Sequence, residues 1–71
     1  MEIIMSKHAL EQARERGVSI NEVKETIRCG AKFLQEDKIV VMYRHIKIVF
    51  KKQEDKFFII TIMIRGEKNG K

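Results

Sequence analysis

The feature that most constrains the fold is a change in the spacing of apolar residues at Gly30. Before this residue, apolar side chains recur three and four positions apart, which is the spacing of an amphipathic helix. After it, the period shortens towards the alternation of strands. This order predicts an α+β chain in which helices precede a sheet.

The first predicted helix covers residues 7–16. Ser6 is a favourable N-cap, and Gly17 is the residue type preferred just past a helix C-terminus. The predicted apolar stripe is thin and consists of Ala9, Leu10 and Ala13. Arg14 and Arg16 flank this stripe near the end of the helix.

A second helix is predicted to start at once and to stop at Gly30. Ser19 with Glu22 three residues later forms a capping box, and Val18 with Val23 can form a hydrophobic staple. One face of this helix is apolar, through Ile20, Val23 and Ile27.

The remainder of the chain predicts strands. They are expected over residues 31–35, 39–43, from 46, and over 57–64, with polar turns between them. Residues 2–5 are either a short edge strand or an extended lead-in. The predicted fold is therefore two N-terminal helices packed on a three- to four-stranded antiparallel sheet. The last strand is apolar on both faces apart from Thr61, which indicates a central position.

Length and composition indicate one domain over residues 1–71, with an ordered core of about residues 2–65 and a flexible tail over 66–71. The net charge of +5 suits a polyanionic partner, although it also serves solubility. A single cysteine, Cys29, allows no internal disulfide and is expected in a reducing compartment. No apolar stretch is long enough to span a membrane, so the predicted location is the cytoplasm.

Motifs for metals and nucleotides are missing from the sequence. The two histidines have no recognised ligand spacing, and the glycines are isolated, with Gly17 and Gly30 accounted for as helix caps. We therefore expect no metal and no cofactor. Cys29 is interpreted as a small core residue. The polar residues that remain as candidates are His8, Arg14, Arg16, Tyr43, Arg44, His45, Thr61 and Arg65.

Metal-independent RNA cleavage needs a group that exchanges protons near neutral pH and a cation beside the phosphate. His8 with Arg14 or Arg16 meets this requirement. Each residue also has a structural interpretation: His8 as a surface residue of the first turn, and the arginines as cations at a helix C-terminus. The hydroxyl of Thr61 can be satisfied locally.

The signature H-A-x(4)-R-x-R-G-[IV] is present as His8, Ala9, Arg14, Arg16, Gly17 and Val18. With the second helix, Gly30 and the terminal Ile60-Thr61 strand, residues 6–64 resemble the family called domain of unknown function 4258. That family looks like a relative of RelE-type and other bacterial ribonuclease toxins. The resemblance implies a catalytic site of His8, Arg14, Arg16 and Thr61, and RNA contacts from Tyr43, Arg44 and Arg65. The chain differs from many RelE-type toxins because it has no basic and aromatic cluster beyond Arg65.

Three functional hypotheses follow. The first is a small RNA-directed protein related to metal-independent ribonucleases. The second is a non-enzymatic interaction module, either a homodimer or the partner of an antitoxin-type protein, in which residues 57–64 are buried against the partner. The third is DNA binding through the second helix, which is disfavoured because the surface of that helix mixes charges of both signs.

Overall fold

The computed structural model describes residues 2–64. The elements in chain order are β1 (Glu2–Met5), α1 (Lys7–Arg16), α2 (Ile20–Cys29), β2 (Ala31–Gln35), β3 (Lys38–Tyr43), β4 (Ile46–Gln53) and β5 (Lys56–Ile64). The predicted flexible tail lies outside the described residues. Neither helix in residues 2–64 is long and apolar enough to cross a membrane.

The sheet differs from the sequence-based expectation. It has five strands in the order β1-β5-β4-β3-β2, and β1 runs parallel to β5. The prediction of a three- to four-stranded antiparallel sheet is therefore wrong, and the fold is two helices packed on a five-stranded mixed sheet. The first strand was ambiguous in the sequence because its partner is distant: Glu2 pairs with Lys56 and Met5 with Ile59.

Both predicted helix ranges are confirmed, and their capping signals act as expected. The Ser6 hydroxyl accepts a hydrogen bond from the amide of Ala9 at 3.0 Å, and the capping box of Ser19 and Glu22 is complete in both directions. Gly17 has φ 68° and ends α1 in the left-handed region, where glycine avoids the strain of a side chain.

Gly30 ends α2 for a different reason. Its φ of −76° is open to any residue. A Cβ atom there would lie 2.6 Å from the carbonyl oxygen of Met42 and 2.7 Å from that of Thr26. Glycine is therefore needed because the chain passes from α2 directly against β3, not because of an unusual backbone angle.

The core lies between the helices and one face of the sheet. Its largest fully buried side chains include Phe50 and Ile48 from β4, Ile59 and Ile62 from β5, and Ile27 from α2. In α1 the buried residues are Ala9 and Ala13, whereas Leu10 is 45% exposed and does not belong to the stripe. Small residues on α1 allow the helix to approach the sheet closely.

A bulge in β5 changes which positions of this strand face the helices. Phe50 pairs with Ile59, but its neighbour Val49 pairs with Thr61, so Ile60 is an extra residue. The positions that face the helices are therefore odd-numbered before the bulge and even-numbered after it. Ile59 and Ile62 are both buried on the helix side, while Thr61 shares the open face of the sheet with Val49. The predicted central position of this strand is confirmed, because β5 lies between β1 and β4.

Candidate nucleic-acid interface

Helix α1 lies along the edge of β5 where β1 stops. The amide of Ser6 donates to the carbonyl of Ile59 at 3.1 Å, and the Ser6 hydroxyl donates to the carbonyl of Ile60 at 3.3 Å. One and a half turns later, the Gln12 side-chain oxygen accepts from the amide of Ile62 at 3.0 Å. We call these contacts of Ser6 and Gln12 with Ile60 and Ile62 the α1–β5 seam. Because successive contacts advance in the same direction along both elements, α1 ends near the C-terminal end of β5.

Two of the predicted site residues lie on the seam side of α1. His8 and Arg16 are one turn before and one turn after Gln12, so the three side chains follow one side of the helix. Both His8 and Arg16 are exposed. Thr61 is half-buried and directly precedes Ile62 on the strand.

Arg14 does not share this side of α1. At 100° per residue it lies about 120° around the helix from His8, and it is exposed. His8 and Arg16 therefore lie on the seam side of α1, whereas Thr61 faces the open side of the sheet and Arg14 lies on the outer surface of the helix. The catalytic roles of all four residues stay predictions.

The second group of site residues lies at the end of the sheet where β3 turns into β4. Arg44 and His45 form this two-residue turn, and Arg44 adopts φ 57°. The guanidinium carbon of Arg44 lies 5.1 Å from the ring centre of Tyr43, which is a cation–π distance. Tyr43 pairs with Ile46 and is half-buried. Arg65 lies outside the described residues.

All arginines of the described chain gather at this same end of the sheet. Ile46, just after the Arg44 turn, pairs with Ile64, and the C-terminus of α1 lies near that end of β5. The end of α2 is also there, because Gly30 sits against Met42. We call the group Arg14, Arg16, Arg28 and Arg44 the arginine end. Arg14, Arg16 and Arg28 stand on the helices and Arg44 on the sheet, so the group extends from β5 to the start of β2 and across both layers.

Acidic residues occupy the opposite end of the sheet. The other two turns are Glu36-Asp37 and Glu54-Asp55, and the amide of Glu2 donates to the carbonyl of Asp55 at 3.1 Å. Lysines accompany these acids. Lys51 Nζ lies 3.3 Å from an Asp37 carboxylate oxygen, and its hydrogen bond and charge lower the pKa of Asp37.

A shallow depression of about 480 Å³ lies at this acidic end, lined by Gln53, Glu54, Lys56 and Phe58. It contains none of the predicted site residues. Within residues 2–64, no three His, Cys, Asp or Glu side chains come together as metal ligands. The candidate interface is therefore an exposed surface with cationic side chains rather than an enclosed cavity.

Two polar residues that sequence reasoning missed support this arrangement. Gln12 supplies the acceptor for the amide of Ile62, and its spacing of three residues from Ala9 could have indicated a place near the core. Thr26 is completely buried, and its hydroxyl donates to the Glu22 carbonyl at 2.7 Å. Thr26 lies three residues after Val23, and this spacing could likewise have indicated a place near the core.

The sequence model of one protein family matches residues 5–64, and that family is described as Domain of unknown function (DUF4258). This chain belongs to the DUF4258 family. The DUF4258 match includes both helices and β2 to β5, so the α1–β5 seam and the arginine end lie within it. No curated protein and no solved structure matches the chain. A relation of this DUF4258 chain to RelE-type toxins stays a prediction.

Proposed function

We propose that this DUF4258 protein is a small RNA-directed protein that holds the phosphate backbone at the arginine end. The observation that carries the proposal is the position of the described arginines at one end of the sheet, opposite the Glu36-Asp37 and Glu54-Asp55 turns. Guanidinium groups match phosphate geometry and release counterions when they bind it.

Three of these arginines also have a structural reason for their positions near the helix C-termini. Arg14, Arg16 and Arg28 stand in the last turns of helices, where a cation is favoured by the helix dipole. Arg16 Nη1 also lies 3.7 Å from a Glu15 carboxylate oxygen. Arg44 is different because it stands in a turn between strands. Its presence at the same end favours a binding role for the group.

The α1–β5 seam offers a route to metal-independent cleavage by the same protein. His8 would accept the proton of a ribose 2′-hydroxyl while that oxygen attacks the adjacent phosphorus. Arg16 would stabilise the negative charge that develops on the phosphorane. The 5′-oxygen then leaves and takes a proton from water. The products are a 2′,3′-cyclic phosphate and a 5′-hydroxyl.

Binding is tested by fluorescence anisotropy of a labelled single-stranded RNA over a range of salt concentrations. We expect Arg44→Gln and Arg14→Gln each to weaken binding and to make the dependence on salt shallower by about 0.7 in the logarithmic slope. The matched control is Lys56→Gln, which removes one charge from an exposed residue beside the Glu54-Asp55 turn, at the opposite end of the sheet. Equal losses in all three variants would contradict a site at the arginine end.

Cleavage is tested separately with a mixed RNA pool in EDTA, with ribosomes supplied in a parallel reaction. We expect cyclic phosphate ends from the wild-type protein, and loss of cleavage in His8→Ala but not in His45→Ala, which removes the other histidine. Binding without any cleavage would retain the RNA-binding proposal and reject the catalytic step.

A non-enzymatic interaction module is the second candidate. The observation in its favour is the edge strand β2. All five residues of β2 are exposed. Phe33 and Leu34 are 48% and 79% exposed.

A further inference from the structure

The open face of the sheet, on the side away from the helices, carries a lysine between two methionines. One row of paired residues across β3, β4 and β5 is fully buried beneath the helices: Val41, Ile48 and Ile62. Side chains alternate between the two faces along a strand, so the next row lies on the open face. This row consists of Met42, Lys47 and Met63, in which Lys47 pairs with both methionines.

Lys47 differs from the other lysines in its surroundings. Lys38 and Lys47 are the two half-buried lysines among residues 2–64. The Lys38 Nζ atom lies 3.6 Å from a carboxylate oxygen of Asp37. Within the same residues, the ammonium group of Lys47 has no hydrogen bond and no ion pair. A cation that is partly removed from water without an anion costs free energy, and a bound anion recovers it.

Thr61 places a hydroxyl group next to this lysine. It pairs with Val49, two residues after Lys47 on β4, so Thr61 and Lys47 are diagonal neighbours on the open face. The Cα atoms of such neighbours are roughly 7–8 Å apart. Thr61 is half-buried, and its hydroxyl makes no hydrogen bond to any other part of the described chain. A phosphate between the two residues can accept hydrogen bonds from both the ammonium and the hydroxyl group.

This pair of residues is continuous with the arginine end. The guanidinium of Arg44 lies beside the ring of Tyr43, and Tyr43 pairs with the core residue Ile46 on the helix side of the sheet. Lys47 directly follows Ile46 and faces the other way. Arg44 and Lys47 therefore stand on the two sides of one hairpin. A phosphate backbone held by Arg44 has only to cross the Arg44-His45 turn to reach Lys47.

We propose that Lys47 and Thr61 bind a phosphate of single-stranded RNA on the open face, and that unpaired bases beside it rest on Met42 and Met63. The inference rests on the proposed RNA binding and adds a second subsite to the arginine end. Both methionines are half-buried, and the thioether sulfur makes favourable contacts with aromatic rings. A duplex keeps its bases stacked inside and offers this face only its phosphates.

The anisotropy assay with single-stranded RNA tests the phosphate contact. We expect Lys47→Gln to weaken binding about fourfold at 0.15 M salt and to make the logarithmic salt slope shallower by about 0.7, whereas Lys47→Arg retains both. Thr61→Val keeps the shape and removes the hydroxyl, so binding should weaken about threefold with an unchanged slope.

Lys51→Gln is the matched control for net charge. Lys51 lies on the same strand and the same face as Lys47, but its Nζ atom is already paired with Asp37 at 3.3 Å. Its substitution should weaken binding by less than about twofold. A loss in Lys47→Gln no larger than that in Lys51→Gln would overturn the inference and would leave an acidic protein segment as the anion for this face.

Nuclear magnetic resonance of protein labelled with ¹³C in the methionine methyl groups tests the base contact. Single-stranded RNA should shift the signals of Met42 and Met63 but not that of Met5, which packs against the core on the helix side. The same sequence as a duplex should leave all three unshifted. Unshifted Met42 and Met63 in the complex with single-stranded RNA would overturn the inference, as would equal shifts with the duplex.

These results separate the open face from the arginine end. RNA binding that weakens in Arg14→Gln and Arg44→Gln but not in Lys47→Gln would reject the subsite and retain the proposed function. A wild-type protein that binds no RNA would reject both.

Discussion

The two helix-ending glycines of the described chain should respond differently to substitution. A methyl group added at Gly30 would lie 2.6 Å from the Met42 carbonyl oxygen and 2.7 Å from both the Thr26 carbonyl oxygen and the Val41 Cγ2 atom. Each neighbour would have to move by roughly 0.8 Å to reach an ordinary contact distance. At Gly17 no atom lies within 4 Å of the added group, so the cost there is only the strain of φ 68°.

These contacts give an expected magnitude for Gly30→Ala. Overpacking costs about 1–3 kcal/mol. Two of the three crowded atoms are backbone oxygens, and the Thr26 oxygen accepts the hydrogen bond from the Gly30 amide at 2.9 Å. Weakening that bond adds about 1 kcal/mol. The expected loss in free energy of unfolding is about 2–4 kcal/mol, against about 1 kcal/mol for Gly17→Ala.

Urea denaturation of the wild type, Gly30→Ala, Gly17→Ala and Gly17→Asn measures these losses. Asparagine tolerates the left-handed region, so Gly17→Asn should recover much of the stability that Gly17→Ala loses. If a variant has no folded baseline in water, the free energies of unfolding of all variants and the wild type can be compared in trimethylamine N-oxide. This osmolyte strengthens the burial of apolar surface in each of them. The reasoning is refuted when Gly30→Ala costs no more than Gly17→Ala.

Three further substitutions test other contacts by the same denaturation assay. Gln12→Met should cost about 1–2 kcal/mol because the amide of Ile62 loses its acceptor; no loss would show that water replaces the amide oxygen. Thr26→Val should change stability by less than about 0.5 kcal/mol, since it keeps the shape of a buried side chain and removes a hydroxyl that bonds locally; a large loss would contradict this. Asp37→Asn should lose the ion pair with Lys51 at neutral pH. The folded-state pKa of Asp37 is lowered from 3.8, so this pair stabilises above pH 3.8 and its contribution disappears as the pH falls through the lower folded value. Titration of wild type and variant should therefore show stabilities that converge below pH 3.8, and a constant difference would contradict the ion pair.

The parts of the fold that sequence could predict depend on signals close to one another in the chain. Helix α2 begins at a capping box that spans four residues, and the turns at Glu36, Arg44 and Glu54 join strands that are neighbours in the sheet. The pairing of β1 with β5 could not be predicted in this way. Its partner residues are more than fifty positions apart, and the three apolar residues of β1 carry no information about which strand they join.

The bulge in β5 and the glycine at the end of α2 show a second limit of prediction from the sequence. Every residue around Ile60 is apolar or β-branched, so the sequence gives no position at which the alternation changes. Gly30 was recognised as a helix end, but the close approach of β3 is a tertiary contact that no local signal contains.

The candidate site was predictable to a similar degree. His8, Arg14 and Arg16 stand out through a short motif on one helix, but the side of the helix that meets β5 is known only from the contact of Gln12. The gathering of Arg28 and Arg44 at one end depends on the order and direction of the strands. Net charge alone could not distinguish such a gathering of arginines from an even distribution.

The pairing of the first strand with the last has a consequence for synthesis on the ribosome. Helix α1 and β1 leave the exit tunnel early, but β5, the strand against which they pack, is made more than fifty residues later. Until β5 emerges, the N-terminal apolar residues have no native partner, while the hairpin of β2 and β3 can already form. Completion of this domain is therefore delayed until its last strand is available, and ribosome-stalled chains that end before Lys56 should remain sensitive to protease.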